Sequence, residues 1–397
     1  MSNQYKYVIV GGGLAGASAV EGIREHDNSG SILLVGKENR LPYDRPPLTK
    51  GLWSGKTKLE ELPVHDEVFY KTRGVRLQPG TEIIRIDPKG KEISDAQGNR
   101  YGYNKLLIAT GGTPRRLSFG EGAVQYYRTV DDYVSLTEAA ARLNHFLFIG
   151  GGFIGGELAA ALTMKGKNVT MVFPDENLLQ KILPADLAGF VTDYCRSKGV
   201  TVMTGDIPTN AERSSGRTLV STKTGKKLEA DMVIAAIGLN LHTDMAKQAG
   251  LKVDNGILVN AQLQTSDPNI FAAGDVANFP AKLLDKNIRI EHWNNALTQG
   301  KHAGENLTGL NKPFDYLPYF YSDLFDLGFE AIGELDARLQ TFADWKEQFR
   351  EGVVYYVDEG RLRGVLLWNV WEKVDAARDL IAKKKTYKKP EELKGRI

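Results

Sequence analysis

The sequence predicts an α/β chain: two domains built on one strand–loop–helix–strand unit, followed by a C-terminal α+β domain. Three observations predict it. First, an apolar run at 5–10 ends in Gly11-Gly12-Gly13-Leu14-Ala15-Gly16, small and apolar residues follow at helical spacing over 15–25, and a second apolar run occupies 31–35. Second, the same grammar returns. A run at 146–149 ends in Gly150-Gly151-Gly152-Phe153-Ile154-Gly155, a helical stretch runs on through Glu157 to Met164, and a strand is expected at 168–173. Each copy is matched downstream by an apolar strand ending in glycine, at 104–111 and 231–238, so the repeat is of domain size. Third, the texture changes after Lys312. Aromatics become dense (Tyr316, Tyr319, Phe320, Tyr321), and alternating segments at 352–357 and 364–368 suggest an antiparallel sheet. A short buried strand is expected within 269–275. The expected boundaries are 1–113 with 243–311 for the first domain, 114–242 for the second and 312–397 for the third.

Composition narrows the function classes. The chain has 397 residues, 42% apolar and 25% charged, which suits a globular protein of two or three domains. A net charge of +2 is too small for a general nucleic-acid binder. The one basic run, Lys383, Lys384, Lys385, Lys388 and Lys389, reads as a solvated segment. Cys195 is the single cysteine, so an internal disulfide and a Cys-x-x-Cys site are excluded, and it reads as a small buried hydrophobe on a helix over 185–198. No metal-ligand set is read. Met-Ser-Asn-Gln leads directly into a strand, and no apolar stretch reaches about 18 residues. The expectation is a cytoplasmic chain with no membrane and no nucleic-acid partner.

The glycine spacing carries the chemistry. Between a strand and a helix, Gly11 makes the tight turn, Gly13 lets backbone approach a pyrophosphate, and Gly16 lets the helix pack on the sheet. The helix start at Leu14 and Ala15 then offers N–H groups and the positive dipole end to phosphate. Gly150, Gly152, Phe153, Ile154 and Gly155 repeat the arrangement. Glu38 and Asp175 stand about 20 residues beyond their loops, where an acid accepts from ribose hydroxyls. Both domains are therefore Rossmann-like and dinucleotide-binding. Two such sites in one chain fit a bound flavin, FAD, at the N-terminal loop and a diffusing nicotinamide dinucleotide at the second. Asp175 and Glu176 would repel a 2′-phosphate, which favours NADH over NADPH; Lys181 is the counterweight, since its ammonium could pair with that phosphate.

These residues, together with Leu41-Pro42-Tyr43-Asp44-Arg45-Pro46-Pro47-Leu48-Thr49-Lys50, Ala272-Ala273-Gly274-Asp275 and Arg289-Ile290-Glu291-His292-Trp293-Asn294-Asn295-Ala296, resemble the FAD-dependent pyridine nucleotide oxidoreductases that include oxygenase-coupled ferredoxin reductases, apoptosis-inducing factor and monodehydroascorbate reductase. The resemblance spans nearly the whole chain and implies a glutathione-reductase-like fold. It also implies that Arg45 contacts the FAD pyrophosphate, and that Lys50 lies by flavin N5 in a catalytic pair with Glu157. Ile83 meets the adenine side, Thr110 and Arg128 face FAD, and Asp275 binds the ribityl chain. Glu291 and His292 hold the nicotinamide end. Trp293 and Tyr321 approach the isoalloxazine. The segment Phe173-Pro174-Asp175, with Lys181, holds the NADH adenosine. Gly238 closes the second nucleotide domain. Plain packing roles stay open for His292, Trp293 and Tyr321.

Departures from the wider family narrow the chemistry. Its disulfide reductases carry a redox cysteine pair in the first helix, and related enzymes carry one cysteine near 41–50. This chain has neither, so electrons are expected to leave the flavin without a thiol relay. The arginine that binds the ascorbyl radical in monodehydroascorbate reductases falls at Leu297, which cannot bind an anion. The expected acceptor is a ferredoxin-type iron–sulfur protein or a small molecule. The alternative is an NADH-sensing flavoprotein like apoptosis-inducing factor, or an enzyme like monodehydroascorbate reductase, with slow or small-molecule acceptor turnover, and a homodimer is compatible with each.

Overall fold

The computed structural model describes residues 3–397; Met1 and Ser2, the first residues of the N-terminal segment, lie outside the described residues. Backbone contacts divide the chain into two compact units. One contains the chain up to Asp44 with Leu59–Thr113 and Leu241–Tyr319. The other contains Arg45–Lys58, Pro114–Asn240 and Phe320–Ile397.

The first unit is built on a seven-stranded sheet. Val75–Gln78, Ile32–Val35, Gln4–Val10, Arg100–Ile108 and Ile270–Ala272 run parallel, in that order. Ile32–Val35, Ile270–Ala272 and the C-terminal ends of the two long strands form apolar runs because both faces of the sheet are buried there, while Val75–Gln78 is half polar. A hairpin, Ile83–Asp87 with Glu92–Asp95, adds antiparallel strands to the start of Arg100–Ile108. Its second strand is too polar to read as a strand. Helix Leu14–Arg24 packs against helix Trp293–Leu307 with backbone touching backbone. A Cβ at Gly300 would stand 2.3 Å from the Ala15 carbonyl oxygen, and one at Gly304 2.2 Å from that of Ala19.

The second unit repeats the plan. Val200–Met203, Asn168–Val172, His145–Ile149, Met232–Ala235 and Val124–Tyr126 form a five-stranded parallel sheet. Beside it lies a three-stranded antiparallel sheet, Pro208–Ser214, Arg217–Thr222 and Lys227–Ala230. These strands are rich in Lys, Arg, Ser and Thr, so no apolar run announces them. The alternating segments near the C-terminus lie in a five-stranded sheet, ordered Tyr319–Leu324, Leu327–Gly333, Arg361–Trp368, Glu351–Asp358 and Gln340–Glu347, whose last four strands pair antiparallel. Helix Val374–Ala382 follows it. Cys195 is buried on helix Ala185–Ser197. Among the described residues no helix is long and apolar enough to cross a membrane.

The helix contact predicts a sharp packing penalty. Gly300→Ala should destabilise the protein by about 1–3 kcal/mol, the usual cost of overpacking, measured by denaturant unfolding. Wild-type stability would show that the two backbones can separate.

Candidate functional site

In each loop the first and last glycines are closed in by backbone, and a middle one faces open space. Gly11 has φ +133, and its Cβ would meet the Ala109 carbonyl oxygen at 2.1 Å. A Cβ at Gly16 would meet the Gly11 carbonyl oxygen at 2.1 Å. Gly13 differs: a Cβ there meets no described atom within 4 Å. It caps helix Leu14–Arg24, and among the described residues no side chain caps that end. The second loop matches. Gly150 has φ +122, and a Cβ on it would stand 2.3 Å from Ala236 O; a Cβ on Gly155 would stand 2.7 Å from Gly150 O, and one on Gly152 would again meet open space, at an uncapped helix start. Open space above a bare helix N-terminus fits a pyrophosphate, whose charge the free N–H groups would take up.

The two acids are held by equivalent bonds. Gly80, at φ +70, donates its N–H to the Glu38 carbonyl at 3.0 Å, and Gly205, at φ +69, donates to the Asp175 carbonyl at 3.0 Å. Each glycine follows the strand at one end of its sheet's order, Val75–Gln78 or Val200–Met203. The side chains differ: Glu38 accepts from the Tyr43 hydroxyl at 2.6 Å, while Asp175 stands half-exposed in the bend after strand Asn168–Val172. Ile154 is 40% exposed on the first turn of its helix. The Phe153 ring instead packs edge-on against Phe320, 5.6 Å away. The Lys181 carbonyl accepts from Ala337 N at 3.0 Å while its side chain is exposed. Gly238, at φ +99, accepts at its carbonyl from Arg115 N.

In the first unit the Gly274–Asp275 turn is gripped from two sides. The Gly274 N–H donates to the buried Gln299 Oε1 at 3.0 Å, and Arg289 donates to the Asp275 carbonyl at 3.2 Å. Arg289 also pairs with Glu291 at 2.7 Å. Trp293 donates its indole N–H to Asp44 Oδ1 at 2.6 Å. Burial holds the His292 imidazole down to about 4, with Asp275 only partly opposing the shift, so His292 is neutral at neutral pH. The Thr110 hydroxyl donates to the His242 carbonyl at 3.0 Å, and Ile83 opens the hairpin, half-buried.

The second unit brings Lys50, Glu157 and Tyr321 together. Glu157 is 5% exposed on a helix of small and apolar residues. Its Oε1 takes the Lys50 ammonium at 2.5 Å and the Ser322 hydroxyl at 2.6 Å, and its Oε2 takes the Thr49 hydroxyl at 2.6 Å. A lone buried carboxylate would lose several kcal/mol of solvation; three donors, each charge-assisted bond contributing about 1.5–3 kcal/mol, offset that cost. Lys50 Nζ also lies 5.4 Å from the centre of the Tyr321 ring, within cation–π range. Burial raises the Asp323 carboxyl, against the pull of Lys50 and Lys56 and with the push of Glu157. Arg45 donates to the Arg128 carbonyl at 2.8 Å, and the Arg128 N–H donates to Asp132 Oδ2 at 2.9 Å. Thr49 and Ser322 were invisible as site residues in the sequence. Their only signal is that each adjoins a residue the motifs single out, Lys50 and Tyr321. Burial pushes the Cys195 thiol up to about 12, so no reactive thiolate forms near neutral pH.

Two glycine cradles with matching acids define a two-dinucleotide oxidoreductase. The chain belongs to the pyridine nucleotide-disulphide oxidoreductase family, whose model matches residues 5–300. A second model, described as the C-terminal part of mitochondrion-associated apoptosis-inducing factor, matches 303–347 and 343–383. The chain is 34% identical to mitochondrial apoptosis-inducing factor 1 of Dictyostelium discoideum, over 96% of this chain and 79% of that protein. It is 33% identical to the ferredoxin–NAD(+) reductase component of the anthranilate 1,2-dioxygenase system of Burkholderia cepacia, over 95% of this chain and 94% of that one. Among solved structures, the covalent putidaredoxin reductase–putidaredoxin complex matches with a TM-score of 0.91 at 31% identity, covering 97% of this chain and 94% of that chain. The chain is thus an FAD- and NAD(H)-dependent oxidoreductase of the ferredoxin-reductase type.

Two predictions follow the geometry. Gly13→Ala should leave unfolding stability near wild type yet lower FAD retention, and Gly152→Ala should spare FAD and weaken nicotinamide dinucleotide binding; equal effects on both ligands would separate the loops from these roles. Burial holds the folded His292 pKa near 4 against an ordinary 6.5. The unfolded chain therefore binds more protons between those values, and stability falls as pH drops through that window. His292→Gln should flatten that part of the stability–pH curve, and an unchanged curve would show that His292 is not buried as a neutral ring.

Proposed function

We propose that the chain takes hydride from NADH, in preference to NADPH, and passes the electrons to a ferredoxin-type iron–sulfur protein without a cysteine relay. The observation that carries this reading is the pair of open glycine cradles in a chain whose one thiol is buried and protonated. When bound, FAD supplies an isoalloxazine that accepts hydride and releases electrons singly or in pairs.

The chain's own residues bind and orient. Gly11, Gly13 and Gly16, with Leu14, Ala15, Glu38, Ile83, Thr110 and Asp275, would hold FAD. Gly150, Gly152, Phe153, Ile154, Asp175, Lys181 and Gly238 would hold the nicotinamide dinucleotide. In this proposal 1–113 with 243–311 binds FAD, 114–242 binds NADH, and 312–397 is a C-terminal α+β domain. Lys50 would present a fixed cation, locked by Glu157, to a cofactor that gains negative charge on reduction. Arg45 and Arg128 would serve the FAD phosphates, and Glu291, His292, Trp293 and Tyr321 the reacting rings. The side chains of Asp175 and Glu176 support NADH, since a 2′-phosphate would meet like charge. The cytoplasm is the proposed compartment.

A second reading, an NADH-binding flavoprotein with slow acceptor turnover, is supported by the C-terminal match to apoptosis-inducing factor. Acceptor kinetics separate the two. NADH-driven reduction of a [2Fe–2S] ferredoxin should proceed at a rate comparable with dye reduction. A flavin that reduces quickly and is then reoxidised slowly by every carrier tried would favour the second reading. Asp175→Ala should lower the NADH/NADPH preference about tenfold or more, the size of a lost charge-assisted hydrogen bond; an unchanged ratio would release that acid from the site.

A further inference from the structure

Selectivity for NADH requires more than an acid of the right type, because an exposed carboxylate on a loose bend gains little from pointing at one hydroxyl. Asp175 is not on a loose bend. Its carbonyl accepts from Gly205 N at 3.0 Å, and each of the next four amides has a partner. Glu176 N and Asn177 N both donate to Gln180 Oε1, at 2.9 and 3.0 Å. Leu178 N donates to the Thr192 hydroxyl at 2.9 Å. Leu179 N donates to the Gly151 carbonyl at 3.0 Å, tying the bend directly to the glycine loop. Leu179 adopts φ +54, a left-handed conformation that costs a residue with a Cβ about 1–2 kcal/mol. The surrounding bonds must therefore outweigh that cost. Gln180 is the one side chain of the bend that supplies two of them. Only the carbonyl end of an amide can accept two N–H bonds, which fixes its orientation.

The first domain repeats the backbone half of this arrangement and not the side-chain half. Gly80 grips Glu38 as Gly205 grips Asp175, but there a tyrosine, Tyr43, holds the acid's carboxylate directly. In the second domain the carboxylate is left for a ligand, and Gln180 holds the peptide that follows it.

We propose that Gln180 is a positioning residue for nucleotide selectivity: it fixes the backbone after Asp175 so that the carboxylate meets the 2′-hydroxyl of the NADH adenosine and excludes a 2′-phosphate. The inference rests on the assignment of Asp175 to the NADH ribose in the proposed function. Gln180 touches no ligand; it acts through Asp175.

Calorimetric titration of the FAD-loaded protein with ADP-ribose and with 2′-phospho-ADP-ribose tests it without turnover. Gln180→Leu should weaken ADP-ribose about tenfold, as for one lost oriented charge-assisted bond, and leave 2′-phospho-ADP-ribose nearly unchanged. Gln180→Glu, which keeps the acceptor oxygen, should retain the wild-type discrimination. Gln180→Asn, which withdraws the acceptor but stays polar, should behave as Gln180→Leu and serves if that variant folds poorly. In an Asp175→Ala background, Gln180→Leu should no longer change the ratio of the two affinities. Equal weakening of both ligands by Gln180→Leu, or an unchanged ratio, would overturn the role of Gln180 while leaving Asp175 in place. An Asp175→Ala variant with wild-type discrimination would overturn the ribose assignment itself.

Discussion

At Gly11 and at Gly150 the backbone passes a neighbouring chain segment so closely that no side chain can begin. The carbonyl of Ala109 stands 2.1 Å from where a Cβ would be at the first, and that of Ala236 stands 2.3 Å away at the second. This constraint sets the rest. It places the strand end, the turn and the helix start in one fixed relation, so that the next glycine but one, Gly13 or Gly152, faces open space over an uncapped helix N-terminus. It also passes outward through the first unit. Helix Leu14–Arg24, launched by the loop, is pressed against Gly300 and Gly304 of helix Trp293–Leu307. The same helix supplies Gln299, which holds the turn that carries Asp275.

The two copies share this frame down to single hydrogen bonds. Gly11 N bonds the Val35 carbonyl and Gly150 N that of Val172; Ala109 N bonds the Val10 carbonyl and Ala236 N that of Ile149. They diverge where function would require it. One acid is closed off by Tyr43 and the other left half-exposed on a braced bend. The division of labour we propose, a resident cofactor at the first loop and a diffusing one at the second, matches that divergence. A resident ligand can share its acid with the protein, whereas a diffusing ligand needs the acid presented and pre-oriented.

What the sequence revealed follows from the same physics. The glycine loops, their strands and their acids are local and periodic, so spacing alone exposes them. Lys50 and Glu157 stood out through motif resemblance, and the helix around Glu157 is so apolar that the acid demanded a partner. Thr49 and Arg289 lay inside the motifs with no role read for them, and Ser322 and Gln299 did not stand out. A hydroxyl or an amide has no pattern of its own, and the groups they bond lie far along the chain, as Ser322 does from Glu157. Gln180 bonds only residues three and four positions away, yet a glutamine in a loop reads as solvated until its oxygen is seen taking two amides. The strands at 208–230 were hidden for another reason: their exposed faces are so charged and hydroxylated that no alternating apolar pattern survives.

The chemistry turns on how many electrons the protein can store. Family members with a redox disulfide hold two pairs, one on the flavin and one on sulfur. Here the only thiol is buried on a helix and held far from ionisation, so the flavin alone should accept reducing equivalents. An anaerobic titration of the FAD-loaded protein with NADH, followed by flavin absorbance, tests this most directly. The account predicts complete bleaching at one NADH per FAD. A requirement for two NADH per FAD, or a flavin that NADH fails to bleach, would contradict it.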